Sequence, residues 1–411
     1  MLTRRHFLRN GAALVTLGAA VPAVFRRSLL AGLLDGVAAA ESLARSLVIV
    51  QLAGGNDGLN TIIPYSDGTY RTLRPNLGVP EGQIIPLDSR VGLHPKLAPL
   101  ASRWQAGQLA IVEGVGYPSP NLSHFQSILI WQTANPDGRA TDGWAGRYLA
   151  ALEQQEHDPF HGFNIGTAPS RELSAAGASV VSAANASDYA LQSSGNQAED
   201  QARQQTLLKL YESYPAQAPY GALLETTLED ALQTSAEVQQ ISASYQPAVQ
   251  YPQNPFASGL QFLAGILAAK PTLRVAHITI GGFDTHSRQQ ADHEQLLETV
   301  AGGLDAFLQD LEAHNRADGV VVMTWSEFGR RPGENASLGT DHGTAAPLFV
   351  LGKPVKGGFY GEPTSLTGLD NNGNLSFTTD FRSVYATVLE NWLGADSSAV
   401  LGERFTLLGF L

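Results

Sequence analysis

Short, β-branched apolar runs that stop abruptly at glycine or at a polar cluster recur along the chain, and each reads as a buried strand. Ser46 to Leu52 ends at Ala53-Gly54-Gly55, and Leu109 to Val115 ends before Tyr117-Pro118-Ser119-Pro120-Asn121. Val275 to Ile280 opens onto Gly281-Gly282-Phe283-Asp284-Thr285-His286, Gly319 to Thr324 precedes Ser326-Glu327, and Pro347 to Leu351 follows Asp341-His342. Between these runs the apolar positions take helical spacing: His94 to Ala106, a helix through Trp131 capped by Asn121 or Ser123, Phe256 to Ala269, a long helix from beyond His286 to about His314, and Asp380 to Trp392. Strands alternating with helices predict an α/β fold with a mostly parallel sheet. Two stretches depart from that rhythm. Asn164 to Ser187 is rich in Ser, Ala and Gly with short strand signals, and Asn196 to Gln246 turns to Gln, Ala, Glu and Leu at helical spacing, which predicts a helical insertion or cap.

Composition narrows the picture. At 411 residues, 43% hydrophobic and 16% charged, the chain has ample material for a large core, and disorder is excluded over most of it. Cysteine is absent, so there are no disulfides, thiolate metal ligands or cysteine nucleophile, and any metal must be held by O and N donors. The N-terminus reads as an address: Thr3-Arg4-Arg5-His6-Phe7-Leu8-Arg9 sets a twin arginine before the uncharged stretch Asn10 to Phe25, and Ala38-Ala39-Ala40 offers a small-residue cleavage site. That stretch is shorter than the ~20 apolar residues of a spanning helix. Residues 1–40 are therefore expected to direct folded export by the twin-arginine machinery to the periplasm or beyond, with no membrane span left in the mature form. The whole chain carries a net charge of −12. The first forty residues hold five of its 26 basic and one of its 38 acidic residues, so the remainder stands at −16, a poor partner for nucleic acid or an anionic membrane.

The chemistry-bearing residues stand where the apolar runs stop. Asp57 follows the first run, Ser123 and His124 the second, Asp284 and His286 the third, Glu327 the fourth, and Asp341 with His342 precedes the last. In open α/β sheets ligands gather beyond the carboxyl ends of strands, so these positions are expected to converge. Carboxylates and imidazoles without thiols suit a divalent metal, Zn or Mn ahead of Ca or Mg. Ser123 at a helix start is read either as a helix cap or as a nucleophile beside amides suited to an anion. His124 is read as a ligand or proton carrier, and Arg330 with Arg331 as a clamp on an anionic group. The histidines at 94, 157, 161, 277, 293 and 314 lie in helices, loops or mid-strand and are read as structural.

Taken together, Gly54-Gly55-Asn56-Asp57-Gly58-Leu59-Asn60, Ser123-His124-Phe125, Gly282-Phe283-Asp284-Thr285-His286, Ser326-Glu327-Phe328-Gly329-Arg330 and Asp341-His342-Gly343-Thr344 resemble the exported bacterial domain-of-unknown-function family numbered 1501. That family is in turn similar to the alkaline phosphatase and sulfatase superfamily. The resemblance implies a three-layer α/β/α domain over residues 41–411 with a helical insertion at about 196–246. It implies metal ligation by Asp57, Asp284, His286, Glu327 and His342, with Ser123 near the nucleophile; the strand-end positions themselves add Asp341 to the candidate ligands and His124 and Arg330 to the candidate catalytic residues. The sequence departs from the superfamily pattern in two places. Asp284 and His286 are two apart instead of four, with Arg288 at the expected position, and Glu327-Phe328 replaces an Asp-His pair. One metal centre is therefore expected instead of two, and no Cys/Ser-x-Pro-x-Arg sequence supports formylglycine chemistry. The expected function is an exported metal-dependent hydrolase of phosphate or sulfate esters, acting on an anionic small molecule or glycan ester. The alternative is a non-catalytic exported protein that binds a partner or glycan through the helical insertion.

Overall fold

The computed structural model describes residues 45–411 apart from 139, 190–195 and 213–220; the export signal read in residues 1–40 and part of the expected insertion lie outside the described residues. In chain order the strands are β1 Ser46–Ala53, β2 Ile62–Ile63, β3 Ile85–Pro86, β4 Gly92–Leu93, β5 Leu109–Gly116, β6 Gly162–Ile165, β7 Val180–Ser182, β8 Val275–Gly281, β9 Val320–Trp325, β10 Ala346–Leu351, β11 Gly358–Tyr360 and β12 Thr379–Asp380. Strands β2, β4 and β3 make a small sheet, and the rest form one large sheet in the order β11-β5-β10-β9-β1-β8-β6-β7, with β12 also on β5.

The apolar runs are continuous because both faces of this sheet are covered. In β1, Val48, Val50 and Leu52 point into a core shared with the helices Pro255–Ala269 and Gln289–Ala313, while Leu47 and Ile49 point into a second core with the helices His124–Thr133, Trp144–Glu153 and Phe381–Val388. The period-two alternation of side chains on a strand thus builds three layers, helices on both sides of a central sheet. The pairings of β1 with β8 and β9, of β6 with β7 and β8, and of β5 with β11 and β12 are parallel. Strand β10 runs against both its neighbours, β5 and β9. This reversal has a consequence for the site: residues that precede β10 lie at the same sheet edge as residues that follow β1, β5, β8 and β9.

The expected helix from His94 begins instead as a tight turn, Pro95–Leu97, and becomes α-helical at Ala98–Gln105. The His94 ring accepts the Lys96 amide and Pro95 has no amide hydrogen, a local arrangement that starts the chain as a cap and not as a full helical turn. In the insertion region the structure describes the helices Gln197–Glu212 and Gly221–Ser244. No helix among the described residues is long and apolar enough to cross a membrane.

One buried acid sits in the second core. Glu172 is fully buried and accepts the indole N–H of Trp144 at 2.5 Å and of Trp325 at 3.2 Å. Burial pushes its carboxyl from the ordinary 4.5 up to about 8, against the indole donors. The unfolded chain releases this proton above pH 4.5 while the folded chain keeps it, so stability is expected to fall between about pH 4.5 and about pH 8 by about 1.4 kcal/mol per pH unit from this group. The buried histidines His94, His277 and His293, which burial holds at about 4, about 3 and about 4, act in the opposite direction below about pH 6.5, so the readout is the difference between proteins: in urea unfolding at pH 5, 7 and 9, the wild type should lose stability relative to Glu172→Gln as the pH rises towards 8.

Candidate metal centre

Five strand termini meet at one edge of the sheet, and two glycines let them approach. The chain leaves β1 through Gly54 (φ 124°) and Gly55 (φ 81°), conformations that side chains with a Cβ rarely adopt. A Cβ on Gly54 would stand 2.4 Å from the Asp284 backbone nitrogen, and one on Gly55 would stand 2.5 Å from the Phe328 ring. The loop after β1 is thereby pressed against the exits of β8 and β9. His124 arrives at the start of its helix after β5, and His342 just ahead of β10.

His124, Asp284 and His342 bring one ligand atom each within 4.8 Å of one another. The hydrogen bonds behind them fix the tautomers. His342 Nδ1 lies 2.9 Å from the Leu122 carbonyl, which only accepts, so Nδ1 carries the hydrogen and the neutral ring turns a bare Nε2 towards Asp284 Oδ1 at 3.0 Å. His124 Nδ1 lies 2.7 Å from Glu327 Oε1, and its Nε2 faces Asp284 Oδ2 at 3.4 Å. His286 repeats the pattern, with Nδ1 3.4 Å from Asp341 Oδ1 and Nε2 2.9 Å from both Asp284 Oδ1 and His342 Nε2. In their neutral forms three imidazoles therefore aim lone pairs at one carboxylate. Acceptors facing acceptors repel, and the arrangement calls for a cation, either added protons or a metal ion. Metal-bound histidines characteristically donate the far N–H to a carboxylate or carbonyl, as His124 does to Glu327 and His342 to the Leu122 carbonyl. Ligands held ~2.0–2.1 Å from a tetrahedral ion sit roughly 3.4 Å apart, close to the separations found here. The chemistry of the donors, imidazole nitrogen and carboxylate oxygen, fits a divalent metal ion.

The other expected site residues fall around this cluster in distinct places. Glu327 is fully buried behind His124, where Oε1 also accepts the Gly54 amide at 2.8 Å, and Asp341 is exposed on the outer side of His286. Asp57 does not reach the cluster. Its carboxylate is buried in a two-pronged ion pair with Arg74, at 2.6 and 3.0 Å, and accepts the Gln289 amide. Burial pushes the Asp57 carboxyl up, but Arg74, His293 and Gln289 outweigh it and hold it below the usual range. Arg330 corrects the expectation of an anion clamp: it is buried, and its guanidinium is taken up by the carbonyls of Gly54, Gly55, Phe283 and Thr340 and by Asp284 Oδ1 at 2.8 Å. Its one contact with the cluster is the bond to Asp284. Arg331 is exposed. Around the Asp284 carboxyl, burial acts upwards, while Arg330, His342 and His286 together hold it down at about 2. Ser123 occupies the N-cap position of its helix, yet its hydroxyl caps nothing and is exposed.

Arg74, Gln289 and the Leu122 carbonyl were not singled out by sequence reasoning. Gln289 accepts the hydroxyls of Thr285 and Thr340, and Arg74 also holds the carbonyls of Arg331 and Pro332, so the pair with Asp57 fixes the loop that follows Arg330. A buried arginine in a polar loop has no sequence signal of its own.

The fold and the cluster define a class, an α/β protein with a histidine–carboxylate centre at its strand ends. The chain belongs to the family described as "Protein of unknown function (DUF1501)", matched over residues 94–401. No curated protein matches the sequence. Among solved structures the chain is similar to a phosphonate monoester hydrolase from Silicibacter pomeroyi, at 10% identity and TM-score 0.36 over 88% of this chain and 78% of that one. It is similar to the PsFucS1 sulfatase from Pseudoalteromonas sp., at 11% identity and TM-score 0.35 over 87% and 68%. It is also similar to the lipoteichoic acid synthase LtaP from Listeria monocytogenes, at 9% identity and TM-score 0.34 over 90% and 75%. At this level of overlap neither a residue role nor a substrate is carried across.

Removing one partner of a buried ion pair leaves an uncompensated charge and costs ~3–5 kcal/mol. Arg74→Met should lose stability on that scale in urea unfolding, and adding Asp57→Leu to it should recover most of the loss.

Proposed function

We propose that this chain is an exported, metal-dependent hydrolase of phosphate or sulfate esters, with residues 41–411 forming one domain. The observation that carries the proposal is the convergence of the His124, His286 and His342 Nε2 atoms on the Asp284 carboxylate, each ring anchored through Nδ1. His124, Asp284, His286 and His342 would hold the ion. When bound, such an ion supplies Lewis-acid stabilisation of charge developing on ester oxygens.

The remaining roles belong to the chain's own residues. Ser123 provides the attacking oxygen; its exposed, uncapped hydroxyl stands at the first turn of the His124–Thr133 helix, whose free amides favour an anionic group. Glu327 holds the His124 ring by its Nδ1–H, and Arg330 holds Asp284 in place without touching the ester. The partial exposure of His124, Asp284, His286 and His342 leaves the cluster open to substrate. Export rests on the twin arginine at Arg4-Arg5, ahead of the described residues.

The test is hydrolysis of 4-nitrophenyl phosphate and 4-nitrophenyl sulfate by protein loaded with Zn or Mn. Asp284→Ala should abolish turnover, and Ser123→Ala should lower kcat on the order of 100-fold or more. Wild-type rates in both variants would sink the assignment.

A further inference from the structure

A separate cavity of about 220 Å³ lies between the small sheet, the end of β5 and the approach to β10. Its floor is apolar and buried, with Leu59, Ile62, Val91, Leu366 and Leu375, and its mouth at Ser66 and Pro363 is exposed. A charged residue in β5 faces this apolar space. Glu113 is 8% exposed, it interrupts the run Leu109 to Val115, and among the described residues its carboxylate has one long ion pair, with Arg90. Its charged neighbour Arg90 stops 3.6 Å away.

The backbone is built to put it there. The register between β5 and β10 slips between Ala346 and Leu348, so that Glu113 and Gly114 together face Pro347, and Gly114 takes φ 62°. Such a bulge re-aims a side chain. It also flips the parity of the strand: Leu109 and Ile111 belong to one core and Ala110 and Val112 to the other, but beyond the bulge Val115 joins the core of Ala110 and Val112. Without the extra residue the regular alternation would continue unbroken along β5.

Two cations line the cavity, and both are engaged. Arg330 is taken up by main-chain carbonyls and Asp284, which leaves Arg90 to face Asp67 in the lining and Asp88 and Glu362, which act on Glu113. Arg90 is already shared, with its Nε 3.2 Å from Asp88 and its guanidinium over the Phe359 ring at 5.3 Å. Burial pushes the Glu113 carboxyl up, as do Asp88 and Glu362, while Arg90 pulls it down. A cavity of roughly 150 Å³ accommodates benzene, so this one has room for a ring-sized apolar body with a short charged arm.

We propose that this cavity is a binding site for a small organic cation, a primary ammonium on a compact apolar body, whose nitrogen pairs with Glu113 while the body fills the pocket floored by Leu366 and Leu375. The site is independent of the ester chemistry proposed above. It shares one residue with it, Arg330, which lines the cavity and holds Asp284.

Calorimetric titration of the full chain at pH 7.5 with benzylamine, benzyl alcohol and benzoate tests this. Benzylamine should bind saturably at one site, about tenfold or more tighter than benzyl alcohol, the gain expected of a charge-assisted hydrogen bond, and benzoate should bind more weakly than either. Glu113→Gln, checked for folding by circular dichroism, should bring the amine and the alcohol to equal affinity. Equal binding of amine and alcohol by the wild type, no saturable binding of the amine, or an undiminished preference in folded Glu113→Gln would each overturn the proposal. The wild-type comparison decides alone if the variant does not fold.

Discussion

Burying the Arg330 guanidinium is the constraint on which the strand-end site depends. A buried cation is costly unless its donors are met, and here they are met by main-chain carbonyls of the loop after β1, the exit of β8 and the approach to β10, together with the Asp284 carboxylate. Those segments are remote in sequence and cannot drift apart without stranding donors. The arginine therefore acts as a clasp across the sheet edge, and Asp284 is the one residue of the cluster it grips directly. A second buried arginine, Arg74, does the same for the loop just beyond, through Asp57 and the carbonyls of Arg331 and Pro332. Two charges that would be liabilities elsewhere thus fix the distances on which the cluster relies.

Sheet architecture decides what these clasps can bring together. With both faces covered, the large sheet leaves only its edges for polar chemistry, and parallel strands deliver their following loops to one edge. The reversal of β10 adds the residues in front of it to that edge, which is how His342 comes to face Asp284 and His286. The imidazoles then need little further instruction. A carbonyl behind His342 and carboxylates behind His124 and His286 turn each ring so that its Nε2 faces inward.

Much of this was legible in the sequence, for physical reasons. Central strands are written as unbroken apolar runs, and strand-end chemistry is written as Gly, Asp and His at their termini. The runs around β1, β8, β9 and β10 accordingly predicted both the elements and the vicinity of Asp284, His286 and His342. Direction is another matter: β10 has the same apolar signature whichever way it runs, so a mostly parallel sheet was the readable part and the reversal was not. Roles within the site were also harder to read than membership. Asp57 has the sequence context of a ligand, but whether it meets a cation of its own depends on where Arg74 is delivered by a loop whose path no local pattern encodes. Arg330 has the look of an exposed clamp in the sequence Gly329-Arg330-Arg331, and only burial reveals that its donors are already taken.

On the function proposed above, the imidazoles of His124, His286 and His342 and the Asp284 carboxylate are organised for a metal ion and not merely for a proton. Elemental analysis of the mature protein, expressed with its signal so that it folds and loads in its own way, addresses this most directly, with an Asp284→Ala/His342→Ala double variant alongside. The expected result is about one equivalent of Zn or Mn in the wild type, as a single tetrahedral centre would hold, and none in the double variant. Folded wild-type protein free of divalent metal, or metal retained equally by the double variant, would contradict it.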